Sequence, residues 1–166
     1  MAEIAKDGET QLVVFRMENE EFACDINDVR EVLKMVRVTP LPRSLDFVEG
    51  VINLRGDVIP VIDLRMRFGL SEAERTDESR IIIVGVEDRM VGLIVDSVTE
   101  VTRLMQKQIQ DAPSQVAGQQ TNLIMGVGKI NDRMLIILNL DRILTTEEQI
   151  ALTDISRAGK ELADGQ

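Results

Sequence analysis

Four carboxylates, Asp25, Asp28, Asp57 and Asp63, stand near turns and strand ends, and a pair of carboxylates is the usual acid and base of glycoside hydrolysis. Their spacing builds no such pair, and Asp at these positions usually caps a turn or meets solvent. Gly126-Val127-Gly128-Lys129 shares letters with a phosphate loop but lacks the G-x-x-x-x-G-K-[ST] frame and the strand-to-helix setting. Arg55-Gly56-Asp57 spells an adhesion tripeptide, which a turn glycine between polar residues explains fully. Cys24 is the only cysteine, so no intrachain disulfide can form; with no histidine in the chain the thiol lacks its usual activating partner. The missing histidines also remove the commonest general base and metal ligand. No catalytic residue, cofactor site or metal site is expected.

Charge and composition narrow the partners. The 166 residues carry 19 basic and 29 acidic side chains, a net of −10, which opposes the phosphate neutralisation behind nucleic-acid affinity. There is no Trp or Tyr and only four Phe (Phe15, Phe22, Phe47 and Phe68), too few rings for a base-stacking platform. The first ten residues do not read as a secretory signal, and no apolar run approaches the roughly 18 residues of a membrane span. A cytoplasmic protein with no nucleic-acid partner and no direct membrane insertion is expected. Residues 30–67 depart from the average, with seven basic and five acidic side chains. This local excess of +2 on an acidic chain fits docking to an acidic protein surface.

The elements that would position these residues repeat along the chain. A shift of 69 lays Leu12-Val13-Val14-Phe15 on Ile81-Ile82-Ile83-Val84, and Glu18, Ile26, Val29, Glu31 and Val32 on Glu87, Val95, Val98, Glu100 and Val101. A shift of 76 lays Gly50-Val51 on Gly126-Val127, Leu54 on Ile130, and Asp63-Leu64 on Asn139-Leu140. A tandem duplication follows, with units of about residues 12–70 and 81–144. Hairpins are predicted for Leu12–Met17 with Glu21–Ile26, Val51–Leu54 with Val58–Leu64, and their second-copy equivalents, giving at least eight strands. Asn19 and Gly56 are the residues suited to left-handed turn positions.

Between the first two hairpins, Ile26, Val29, Val32 and Leu33 have the spacing of one helical face, so a short helix is predicted over residues 27–33. Its counterpart, from Ser97 to Leu104, is richer in Val and Thr and reads as extended. Thr145 and Glu148 have capping-box spacing, which predicts a C-terminal helix within residues 145–166. Residues 1–10 read as a flexible tail, and 71–79 and 106–120 as surface connections. The sum is an all-β chain of small barrels or a sandwich, with duplicated units too small to be stable apart and so sharing a core.

Phe47-Val48-Glu49-Gly50-Val51-Ile52-Asn53-Leu54-Arg55-Gly56-Asp57, followed by Pro60-Val61-Ile62-Asp63-Leu64-Arg65, resembles the signature of the CheW family of bacterial chemotaxis coupling proteins. The resemblance extends from about Gln11 to Leu144, through Asp25-Ile26, Val29, Glu31-Val32-Leu33, Pro40-Leu41-Pro42 and Val91-Gly92-Leu93-Ile94-Val95-Asp96. It implies two intertwined five-stranded SH3-like barrels. It also implies a non-enzymatic adaptor that joins chemoreceptor cytoplasmic tips to the histidine kinase CheA, recruited to membrane-associated arrays. By motif, the receptor contacts would be Val29, Glu31, Val32 and Leu33 on the short helix, with Val38, Gly50, Asn53, Arg55 and Gly56. Glu31 and Arg55 would pair across the groove wall, while kinase-contact residues are not assigned. The alternatives are the homologous regulatory domain of a histidine kinase and, further off, a small carboxylate-dependent enzyme.

Overall fold

The computed structural model describes residues 8–41, 47–71, 74–111 and 123–143. The helix expected from Thr145 onward lies outside the described residues. Eleven strands are present among them: β1 Glu9–Met17, β2 Glu20–Asp25, β3 Val29–Lys34, β4 Val48–Leu54, β5 Asp57–Asp63, β6 Arg80–Val86, β7 Arg89–Val95, β8 Ser97–Met105, β9 Ile109–Asp111, β10 Ile124–Ile130 and β11 Arg133–Leu138. One short helix, α1 Leu64–Arg67, follows β5. All four predicted hairpins form, and β8 is extended as its Val and Thr content indicated. Residues 109–111 differ from the expected surface connection: they form β9, which pairs with β10.

The hairpin turns carry the duplication into backbone geometry. The first turn residue is left-handed in each, at φ 57° in Glu18, 51° in Arg55, 55° in Glu87 and 52° in Asn131. Glu18 and Glu87 are related by the 69 shift, Arg55 and Asn131 by the 76 shift. In the first turn the left-handed residue is thus Glu18, one before Asn19. Gly56 at φ 92° completes the second, a position that favours glycine.

The two repeats share both sheets. One sheet has the order β8-β1-β2-β11-β10-β9, the other β3-β6-β7-β5-β4. The third strand of each repeat therefore crosses to the other repeat's first strand: β3 pairs with β6, and β8 with β1. Parallel pairings of β2 with β11 and of β5 with β7 complete the exchange. Each sheet closes on itself through the chain that continues from its crossing strand. After β8, a 3-10 turn at Gln106–Gln108 leads into β9 against β10; after β3, the chain reaches Thr39, which bridges Val51 of β4. These are the intertwined barrels that the resemblance implied.

Three cores follow from this arrangement. Leu12, Val14, Ala23, Leu104, Leu135 and Ile137 fill one barrel, and Ile52, Ile59, Val61, Ile81, Ile83 and Ile94 the other. Between the barrels lies the largest cluster, which takes Val13, Phe15 and Met17 from β1 and Ile82, Val84 and Val86 from β6. β1 and β6 are thus buried on both faces, which is why their sequences are unbroken apolar runs and not alternating ones. All four phenylalanines lie in or against the shared cluster, with ring centroids 6.0 Å apart for Phe15–Phe22 and 5.6 Å for Phe22–Phe68. Fully burying one such side chain is worth roughly 1.5–3 kcal/mol, so the two barrels hold each other by the same force that fills each one.

Candidate functional site

The helix predicted over residues 27–33 does not form. A single 3-10 turn, Ile26–Asp28, is capped by Asp25, whose carboxylate accepts the Asn27 N–H at 2.8 Å; β3 begins at once after it. Val29, Glu31, Val32 and Leu33 are therefore strand residues. The apolar positions satisfied the helical spacing and a turn followed by alternation equally well, and pairing with β6 decided the outcome. As a result they do not make one strip. Val29 packs against the core shared by the barrels and Leu33 against the core of its own barrel, while Val32 points outward at 41% exposure.

Glu31 lies on the half-buried side of β3 and reaches the β4–β5 turn. The Arg55 guanidinium donates to both its carboxylate oxygens, at 2.6 and 3.3 Å. This guanidinium holds the Glu31 carboxyl below the usual carboxylate range. Arg55 itself remains 72% exposed. The pair ties a strand at one edge of the sheet to the hairpin at its other edge, beside the seam that the Thr39–Val51 bridge closes. The turn that presents Arg55 is fixed by its neighbours, since the Gly56 N–H donates to the Asn53 side chain at 2.9 Å. Asn53 and Gly56 thus shape the turn, and Val38 is half-buried against the barrel core.

Gly50 is buried and has φ 150°. A Cβ there would stand 2.0 Å from the Thr39 carbonyl oxygen, in the bridge where Thr39 N–H donates to Val51 O at 2.8 Å and Val51 N–H to Thr39 O at 2.9 Å. Its place in the site is to let the continuation of β3 close the barrel. Gly126, 76 residues on, does the same for β9, a Cβ there meeting the Gln110 carbonyl oxygen at 2.6 Å.

Three ionic groups escaped the sequence reading. Arg133, beside the β10–β11 turn, binds Glu21 at 2.8 Å and also contacts Glu100, the repeat equivalent of Glu31. Each barrel therefore latches the Glu of its crossing strand to an Arg of a hairpin. The alignment of Glu100 on Glu31 was the available signal. Arg65 donates to both oxygens of Asp96 at 2.9 and 2.6 Å and to Ser71 O at 2.9 Å, joining the first repeat to the second. Burial opposes the Asp96 charge, but the Arg65 guanidinium and the Glu18 N–H outweigh it and hold the carboxyl below its ordinary range. Asp63 caps α1 through the Arg65 N–H at 2.9 Å and pairs with Arg75 at 3.0 Å.

The residues first weighed for chemistry are placed accordingly. Asp25 and Asp63 are caps, and Asp57 is exposed at the start of β5. No group of three or more His, Cys, Asp or Glu that could hold a metal occurs among the described residues. Cys24 is buried, and burial pushes its thiol up to about 12. No helix among the described residues is long and apolar enough to cross a membrane. Asp25, Asp63 and the Glu31–Arg55 pair thus hold turns and strands in place.

Comparison with known proteins agrees with this geometry. Residues 11–148 match the family model described as CheW-like domain. The chain is 39% identical over 150 residues to the chemotaxis protein CheW of Bacillus subtilis, covering 90% of this chain and 96% of that protein. With the chemotaxis protein CheW of Klebsiella aerogenes it shares 32% identity over 154 residues, 91% of this chain and 93% of the other. The crystal structure of the scaffolding protein TtCheW from Thermoanaerobacter tengcongensis superposes with a TM-score of 0.77 at 39% identity, covering 84% of this chain and 94% of that one.

Proposed function

The chain belongs to the CheW family of chemotaxis scaffold proteins, and from that premise we propose that it couples chemoreceptor cytoplasmic tips to the histidine kinase CheA. It does so as a non-enzymatic adaptor, cytoplasmic and recruited to membrane-associated arrays. The observation that carries this reading is the Glu31–Arg55 pair, which joins β3 to the β4–β5 turn and leaves most of the Arg55 side chain exposed. A pair so exposed adds little to fold stability, so its value is in orienting the turn toward a partner. Val29, Val32, Leu33, Val38, Gly50, Asn53 and Gly56 make up the rest of the receptor site. Val32, Asn53, Arg55 and Gly56 are its exposed members, and the half-buried Val29, Leu33 and Val38 and the buried Gly50 support them.

Reconstitution tests the proposal: the autophosphorylation rate of the kinase is measured with receptor fragments, with and without this chain. Stimulation that needs all three components is expected. A folded chain that neither binds the receptor fragment nor stimulates its cognate kinase would overturn the reading.

A further inference from the structure

The outer face of β3, continued by the two residues after it, repeats that of β8. Under the 69 shift, Val32, Lys34 and Val36 fall on Val101, Arg103 and Met105. The apolar members stand out from the barrels, Val32 at 41%, Val36 at 47%, Val101 at 51% and Met105 at 36% exposure, and both cations are exposed. Four of the seven exposed large apolar residues in the described structure thus sit on two short strips. Such clustering marks an interaction surface, where singly scattered apolar residues would need no explanation.

The acids of these strands are already engaged, Glu31 by Arg55 and Glu100 by Arg133. The direct cross-strand neighbour of Lys34 is Arg80, another cation, and that of Arg103 is the neutral Gln11. Neither Lys34 nor Arg103 enters an ion pair among the described residues. On a chain of net −10 there are thus two places where a cation with no ion-pair partner among the described residues stands between two exposed apolar side chains.

We propose that Lys34 and Arg103 are specificity-determining residues, and that the receptor segment docking on these strips is acidic, with carboxylates set beside apolar side chains. The inference rests on the coupling function proposed above and gives its receptor partner a chemistry. Apolar contact with the Val and Met side chains supplies affinity. The cations steer an acidic segment into register and reject a basic one.

Titration calorimetry of the full chain with a receptor cytoplasmic fragment tests this. Wild-type affinity is expected to fall as salt rises from about 50 to about 300 mM, because exposed charge pairs are screened. Lys34→Glu and Arg103→Glu are each expected to weaken binding by about five- to tenfold at low salt, with less loss at high salt. Lys129→Glu, which reverses an exposed cation on β10 outside both strips, leaves binding unchanged. Reversing a receptor carboxylate to Lys restores the affinity of a weakened variant. Circular dichroism confirms that each variant is folded. If either strip variant binds as tightly as wild type at low salt, the inference is overturned while the coupling function stands. If the wild-type chain binds no receptor fragment, the coupling function itself fails.

Discussion

Substituting Gly50 by Ala separates a packing role from a contact role at the centre of the family signature. The new methyl would lie 2.0 Å from the Thr39 carbonyl oxygen, a backbone atom that cannot swing aside as a side chain can. The bridge between Thr39 and Val51 must open, losing two backbone hydrogen bonds at about 1 kcal/mol each. Alanine at φ 150° adds roughly another 1 kcal/mol of strain. A total of about 2–4 kcal/mol corresponds to a fall in melting temperature of about 5–15 °C for a chain of this size. Gly56→Ala is the control: φ is 92° but nothing lies within 4 Å of the added carbon. Its loss should be limited to about 1 kcal/mol of backbone strain. With no Trp or Tyr in the chain, far-UV circular dichroism is the assay for both. Equal melting temperatures for the two alanine variants would refute the steric argument and return Gly50 to direct contact with the partner.

Arg55→Ala is expected to lower receptor affinity and leave the melting temperature within error of wild type; a large drop would show that the pair with Glu31 holds the fold. Arg65→Ala strands Asp96 and should destabilise the chain by about 1–3 kcal/mol in a urea melt. Because the Asp96 carboxyl is depressed in the folded state, its stabilisation is complete above the unfolded carboxylate pKa, near 4. It is lost as pH falls through the lower folded value. The variant should therefore lose less stability on acidification below about pH 4 than wild type does. Cys24 should resist a thiol-reactive dye at about pH 8 in the native protein and react fully in denaturant, because a buried thiol with a pKa of about 12 exposes almost no thiolate. Fragments 1–79 and 80–166 should each fail to fold in isolation and regain β circular dichroism when mixed; a folded single fragment would contradict the shared sheets.

Much of the fold was legible because hairpins announce themselves locally. Alternating or unbroken apolar runs around Arg55-Gly56 or Asn131-Asp132 specify strand, turn and strand without reference to the rest of the chain. The duplication was legible for the same reason, since equal turns recur at equal intervals. Strand partners were not, because nothing within Val29–Lys34 says that β6 is its neighbour; that choice is made by the two-sided burial of β1 and β6. The same strand was misread as a helix because its apolar positions fit two periods. β9 was missed because it is only three residues long and holds a single apolar side chain, Ile109, which packs on the barrel core. At the site, Glu31 and Arg55 were found through the family signature. The Arg133–Glu21 contact, spanning 112 residues, left no local trace.

The crossing of β3 and β8 bears on where such a chain can come from. A single repeat would complete neither sheet, since its third strand belongs beside another repeat's first. A lone unit would therefore have to form a two-fold dimer, each subunit lending its first hairpin to its twin. Fusion of two such subunits end to end reproduces the arrangement here. It also releases a constraint that symmetry imposes: in a homodimer every change occurs twice, whereas in the fused chain each half diverges alone. Arg55 and Asn131, equivalent turn residues with different side chains, are a record of that freedom.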